Sequence, residues 1–454
     1  MKGLSPKQTR SRRRRRSHLA SSTSHKSGGS GVPAATGWGE LAQADHRYLW
    51  HPFTQMREWM REEPVIIESG AGAILRDTAG REYLDGNSSI WTNLHGHRHP
   101  RITAAIKEQL DRIAHSSFLG LSNVPAVELA KKLCRLTGLP RVFYSDDGST
   151  AMEVAIKMAL QYWQHRGQPQ RTRFVAFADA YHGDTIGAVS VGGIELFHRV
   201  FRPLTFAVTR LNRLEDFPRC DDVAAVVIEP LVQGAAGMKL WPAGMLRELR
   251  RRCDESGALL IADEVLTGFG RTGTMFACEQ EGVRPDLLAL AKGLTGGYLP
   301  LAATLTTAGV FDAFLGEYGE FKTFFHGHSY TGNQLGCAAA LANLEIFERE
   351  GVLENLKSKI QNLKAGLDRC RPLPGVVEVR QIGFIGAVEV GPYPLEQKMG
   401  FAICAAMRRR GVLTRPIGNT VVVMPPYCIT ETQLSRLLAV LEESLRAVCG
   451  AKWV

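Results

Sequence analysis

The 454-residue chain has no apolar run near the ~18 residues a membrane-spanning helix needs, so no helical span is expected. It has no Cys-x-x-Cys pair either. Its nine cysteines (134, 220, 253, 278, 337, 370, 404, 428 and 449) are scattered and odd in number. That pattern argues against a disulfide framework or a zinc site and suits a reducing cytoplasm. Acidic residues are missing from the first 39 positions, which hold nine Lys or Arg. Those nine account for nearly all of the formal net charge of +10, leaving about one positive charge on the rest. The body therefore lacks the basic imbalance that polyanion binding needs, and nucleic acid is not an expected partner. The arginine block Arg12–Arg16 is not followed by an apolar stretch, which argues against a secretory or twin-arginine signal.

What is there is the composition of an ordinary globular chain, long enough for one large domain or two of usual size. Residues 1–44 are rich in Arg, Ser and Gly, have little to bury, and read as a disordered basic tail. A solvated tail is the favoured reading. A polyanion-binding arm and a transit peptide are the alternatives. Order is expected from about Asp45. The segment 45–100 opens with the turn-prone His51-Pro52-Phe53-Thr54-Gln55-Met56. Val65–Glu68 and Ala73–Leu75 then read as hairpin strands around Ser69-Gly70-Ala71-Gly72. From about Pro100 helical patterns alternate with short apolar runs: Val142–Tyr144, Phe174–Phe177, Ala224–Ile228, Ala258–Ala262 and Leu287–Ala291. This alternation predicts an α/β fold, with a large doubly wound, mostly parallel sheet over 101–345. Residues 337–370 are helical in period. Strands Val376–Val379 and Val421–Met424, with helices Leu395–Arg409 and Glu431–Val448, predict a smaller α+β domain over 346–454.

The stretch Ala258–Pro300 organises the chemistry. One apolar run ends at Asp263 and the next at Lys292. Ligands of open α/β sheets bind beyond the carboxyl ends of the strands, so both side chains are expected at one ligand edge. An acid there suits a protonated pyridine nitrogen, and a desolvated lysine suits a nucleophilic amine. A helix cap or an ion pair with Arg271 is the plain alternative for Asp263, and a solvated surface site for Lys292. Ser145-Asp146-Asp147-Gly148-Ser149-Thr150 follows a strand and opens a helix, Ala151–Trp163. Gly148, Ser149 and Thr150 are candidates for a phosphate cup, against an ordinary N-cap. Tyr181, in Tyr181-His182-Gly183-Asp184, is a candidate stacking ring, against a core tyrosine. Arg415 is a candidate carboxylate clamp, against a surface ion pair. Singly each site is weak. Together they are an ordered set at successive strand ends.

That set resembles the class III (ornithine-type) pyridoxal phosphate aminotransferases from about residue 46 to the C-terminus. Ile261–Gly273 (IADEVLTGFGRTG) with Lys292 downstream carries the resemblance, as do Trp50–Met56, Ser88-Ser89-Ile90-Trp91, His95-Gly96-His97, Met158–Trp163, Tyr181–Thr185 and Met424-Pro425-Pro426-Tyr427. It implies a fold type I transferase with pyridoxal 5'-phosphate as cofactor, active as a cytoplasmic homodimer with its site at the interface. Within the family these residues are similar to the branch that aminates 8-amino-7-oxononanoate in biotin biosynthesis. The implied donor is S-adenosylmethionine, with lysine second. Another class III ω-aminotransferase is the alternative, and a polyanion-binding protein using the basic arm is a distant one. The resemblance assigns Lys292 the covalent bond to the cofactor and the proton transfer. It assigns Asp263 to the pyridine nitrogen, Tyr181 to the ring face, and Gly148 and Ser149 to the phosphate. Ser329 would reach the phosphate from the second protomer. Phe53, Trp91, Tyr181, Lys292, Gly327 and Arg415 would meet substrate, with Arg271 nearby. The 45–100 segment would contribute to the small domain and the channel. Some members carry Tyr, Trp and Pro-Thr where this chain has Phe53, Ile90 and His328-Ser329, which bears on the donor.

Overall fold

The computed structural model describes residues 39–218 and 221–450. The Arg12–Arg16 block and most of the expected basic tail lie outside the described residues. The last part of that segment differs from expectation, because a helix runs from Glu40 to Tyr48, ahead of Asp45.

The chain divides into two compact units, one ending at Ile66 and one running Ile67–Val454. In the first, a single carboxylate folds the chain back on itself. Asp45 accepts a hydrogen bond from Trp59 Nε1 at 2.7 Å and pairs with His51 Nε2 at 3.0 Å. Phe53 follows on this turn with a left-handed φ of 48° and is exposed.

The second unit is built on a seven-stranded sheet. Its strand order is Arg141–Ser145, Ala302–Thr306, Leu287–Leu290, Leu259–Asp263, Val223–Ile228, Arg173–Phe177, Val208–Leu211. Only Ala302–Thr306 runs antiparallel to its neighbours; the other pairs are parallel. The central strands are apolar without alternation and buried along their whole length, as parallel strands with both faces covered must be. This is the mostly parallel α/β sheet expected. Ile261 pairs with Leu287 and Asp263 with Ala289, so Asp263 and Lys292 leave adjacent strands at one edge.

The unit also holds a two-stranded ribbon, Val232–Gln233 with Lys239–Leu240, and two four-stranded sheets. Ile67–Ala71 and Ile74–Asp77 form the N-terminal hairpin, turning at Gly72 rather than across Ser69–Gly72. Gly72 supplies the positive φ of 56° that this turn needs. Glu82–Asp85 adds to it, and Val412–Leu413 from the C-terminal region pairs alongside in parallel. The other sheet joins Val376–Ile382, Ile385–Val390, Thr420–Val423 and Pro416–Ile417. The helical period of 337–370 resolves into two helices, Gln334–Glu350 and Val352–Asp368. Gly351, at φ 57°, breaks them, since a left-handed residue ends the i→i−4 ladder. Among the described residues no helix is long and apolar enough to cross a membrane.

Candidate active site

A cavity of about 440 Å³ opens at the carboxyl edge of the large sheet. It gathers Asp263, Lys292, Tyr181, Gly148, Ser149 and Trp91, six of the residues singled out from sequence. Asp263 is buried at the end of its strand. Its Oδ1 accepts the Val265 N–H at 3.0 Å and its Oδ2 faces His182 Nδ1 at 2.7 Å. Arg271, the alternative partner, is not bonded to it. Lys292 has φ 40° and begins a short 3-10 turn, Lys292–Thr295. Burial holds its ammonium below the usual lysine range, opposed by the negative charges of Asp263 and Glu229. Its Nζ lies 5.5 Å from the centre of the Trp91 ring. The amine is therefore desolvated, which is the condition for nucleophilic use near neutral pH.

The Gly148–His165 helix points its N-terminus into the same cavity. Asp147 caps it, accepting the Thr150 N–H at 3.0 Å. Thr150 is thus committed to the cap, while Gly148 and Ser149 line the cavity. A Cβ on Gly148 would collide with Val265, so glycine is required for this approach. Gly183, at φ 118°, is held to glycine the same way by Ser149. Ser149 Oγ accepts the Asp184 N–H at 3.0 Å and ties this helix start to the Tyr181 loop. The Tyr181 hydroxyl donates to Asp184 Oδ2 at 2.8 Å, and burial together with that bond raises its pKa.

Sequence reasoning missed Glu229 and His182. Glu229 ends the buried Val223–Ile228 strand, so the strand-end rule that found Asp263 would have found it. Its carboxylate accepts the N–H groups of Tyr181 (3.0 Å) and Gly234 (2.8 Å). Burial pushes its pKa up to about 7. His182, next to Tyr181, carried no signal of its own beyond that neighbour.

Trp91 arrives by a different route. Ser88, Ser89, Ile90 and Trp91 are all left-handed, with φ of 48°, 48°, 63° and 70°. Such a conformation costs roughly 1–2 kcal/mol for each non-glycine residue. Asp85, 2% exposed, meets it with a carboxylate that accepts from Asn87 N (3.2 Å), Ser89 N (3.0 Å) and Ser89 Oγ (2.9 Å).

Four predicted residues lie elsewhere. Gly327 and Ser329 are exposed and outside the cavity lining of their own chain. Arg415 is half-buried between Val412–Leu413 and Pro416–Ile417, and Phe53 belongs to the first unit. Arg271, expected near the substrate pocket, does not line the cavity. It is 1% exposed and donates to the carbonyls of Pro425 (3.1 Å) and Asn93 (3.2 Å), with its guanidinium over Tyr427. It is a main-chain clamp behind the cavity wall.

A buried acid, a desolvated lysine, a flat aromatic and helix N-terminal amides fit pyridoxal phosphate. They match its ring nitrogen, aldehyde, ring face and phosphate in turn. The Aminotransferase class-III family matches residues 56–445, and the chain belongs to that family. It is therefore a pyridoxal-phosphate-dependent aminotransferase of fold type I. Its relatives narrow the likeness further. It is 49% identical over 445 residues to the adenosylmethionine-8-amino-7-oxononanoate aminotransferase of Geobacter sulfurreducens, covering 90% of this chain and 98% of that one. The same-named protein of Aquifex aeolicus is 46% identical over 439 residues, covering 89% and 97%. The solved structure of the Methanocaldococcus jannaschii protein of that name superposes with a TM-score of 0.87 at 46% identity, covering 90% and 99%. An amine transaminase from an uncultivated Pseudomonas species, solved with PLP bound, gives 0.83 at 35%, covering 88% and 99%.

Proposed function

We propose that this aminotransferase converts 8-amino-7-oxononanoate to 7,8-diaminononanoate in biotin biosynthesis, with S-adenosylmethionine as amino donor. The observation that carries the reaction type is the meeting of Asp263 and Lys292 from adjacent strand ends in one cavity. The choice of substrates is supported by the names of relatives that match nearly end to end.

Pyridoxal phosphate supplies an electrophilic aldehyde and, with its ring nitrogen protonated, an electron sink for negative charge at the substrate carbon. The chain's own residues set the conditions for that chemistry. Lys292 Nζ would be the amine that holds the aldehyde, and as a free amine it would be placed to move the proton at the substrate carbon. Asp263 keeps negative charge against the ring nitrogen, and its His182 and Val265 partners hold the carboxylate in place. Tyr181 would cover the ring face. The Gly148 and Ser149 amides would hold the phosphate at the helix N-terminus. Trp91 buries part of the aliphatic chain, at ~0.8 kcal/mol for each methylene. Arg415, outside the cavity lining, is assigned to the substrate carboxylate on the family resemblance. Ser329 and Gly327 serve the site of a second copy in a homodimer, a reading supported by the exposure of Phe325 and Tyr330 beside them. The scattered cysteines support a cytoplasmic setting.

The test is a pair of half-reactions on purified protein. S-adenosylmethionine is expected to bleach the visible absorption of the bound cofactor and then support amination of the keto acid. Bleaching by lysine alone would reassign the donor. Turnover of ornithine or 4-aminobutyrate with none on 8-amino-7-oxononanoate would refute the substrate assignment.

A further inference from the structure

The left-handed turn that carries Trp91 is held by a hydrogen-bond chain none of whose side chains lines the cavity. Its directions follow from one fixed donor. The Gly96 N–H donates to Asn93 Oδ1 at 2.7 Å, so the other end of that amide, Nδ2, faces His97 Nδ1 at 3.2 Å. An N–H₂ group can only donate, so His97 Nδ1 accepts and the ring proton sits on Nε2. Nε2–H then donates to Asp85 Oδ2 at 3.0 Å. Asp85 gives its remaining acceptor capacity to Asn87, which leads into the turn, and to Ser89 within it. The turn is also pinned from outside. Ser88 Oγ donates to the Met424 carbonyl at 2.7 Å, and a Cβ on Gly297 would strike the backbone at Asn93.

The product of this arrangement is the placement of one indole. Trp91 lines the cavity over Lys292, and its Nε1–H is buried with no hydrogen-bond partner among the described residues. A buried N–H without a partner is costly, and a ligand oxygen would relieve that cost.

We propose that Asp85, oriented by His97, is a positioning residue that sets the left-handed Ser88–Trp91 turn and so presents the Trp91 N–H to an oxygen of the keto acid. This rests on the substrate reading above and names the group through which the acid is held.

A double-mutant cycle on the holoenzyme tests it, with KM for 8-amino-7-oxononanoate, kcat, the visible cofactor absorption and thermal unfolding as readouts. Asp85→Ala is expected to raise KM about tenfold with kcat within about threefold and the absorption unchanged. Asp85→Asn keeps an acceptor for the main-chain N–H groups but sets an N–H₂ against the His97 Nε2–H, so a rise in KM between those of the parent and Asp85→Ala is expected. In a Trp91→Phe background, Asp85→Ala is expected to add less than about twofold, because both changes remove the same contact. A folded Asp85→Ala with unchanged KM, or effects that multiply in full in the double variant, overturns the proposal. Should Asp85→Ala fail to fold, His97→Leu against His97→Gln decides. Gln retains an N–H donor to Asp85, so a higher KM in Leu alone supports the idea and equal values overturn it. A parent enzyme that does not aminate this acid refutes the substrate reading and this inference together. A normal parent with unresponsive variants refutes this inference alone.

Discussion

Asp263 and Lys292 stand at the ends of two regular strands that are buried along their whole length. Trp91, across the same cavity, stands on four consecutive left-handed residues with no regular element beneath them. The first pair is positioned by apolar burial spread over many residues, so no single contact decides where the two side chains emerge. The indole is positioned by a handful of directional bonds to one carboxylate, each with a distance and an angle to satisfy. Burial tolerates substitution while volume is kept, whereas a polar network with one member missing leaves the others unpaired. The cofactor end should therefore be robust in geometry and unforgiving in chemistry, and the substrate end the reverse.

Lys292→Ala gives the largest effect and tests the chemical half of that contrast. Turnover is expected to fall by about 10⁴-fold or more, with loss of the visible band of lysine-bound cofactor and a normal thermal unfolding curve. Retained activity would break the comparison at once.

Two glycine substitutions sharpen the geometric half. Ile261→Gly, in the middle of a buried strand, is expected to cost about 4 kcal/mol of stability by urea denaturation. Ile90→Gly removes a side chain that is 45% exposed and relieves a left-handed residue. It is expected to be neutral or to stabilise by up to about 1 kcal/mol. Equal losses at the two sites would mean that the turn is not strained.

A last pair of effects lies in pH dependence, where the two ends should tilt opposite ways. Glu229, at the cofactor end, has its pKa raised by burial from 4.5 to about 7. Between those values the folded chain holds a proton that the unfolded chain releases, so its contribution falls as pH rises through the window. His95, beside the turn, has its pKa lowered by burial from 6.5 to about 3, opposed by its bond to Asn343 at 2.8 Å. There the unfolded chain takes up the proton first, so stability falls as pH drops below 6.5. Glu229→Gln should flatten the thermal midpoint against pH on the neutral side, and His95→Gln on the acid side.

Much of the large sheet was legible because its strands are short apolar runs closed by polar residues, a pattern carried by neighbouring positions. The same locality exposed Asp263, Lys292 and the Gly148–Ser149 helix start. Glu229 was equally legible by that rule and was passed over. The break at Gly351 was missed because a period of 3.6 continues on both sides of it. The helix at Glu40 was missed because its sequence, ELAQADHRY, has only one buried apolar side chain to mark it.

The amino-acid sequence alone thus determined the sheet, the chemistry at its edge and the family, since these rest on patterns confined to a few consecutive residues. Tertiary structure alone decided what Arg271 and Asp85 do. Arg271 reads as a neighbour of the substrate pocket or an ion-pair partner of Asp263 until the carbonyls of Pro425 and Asn93 close around it. Asp85 is only the last residue of the Glu82–Asp85 strand until His97 and the left-handed Ser88–Trp91 backbone reach its carboxylate. The physical reason is the same in both cases. A charged side chain takes its role from the partners that desolvate it, and for Arg271 those partners come from segments more than 150 residues away.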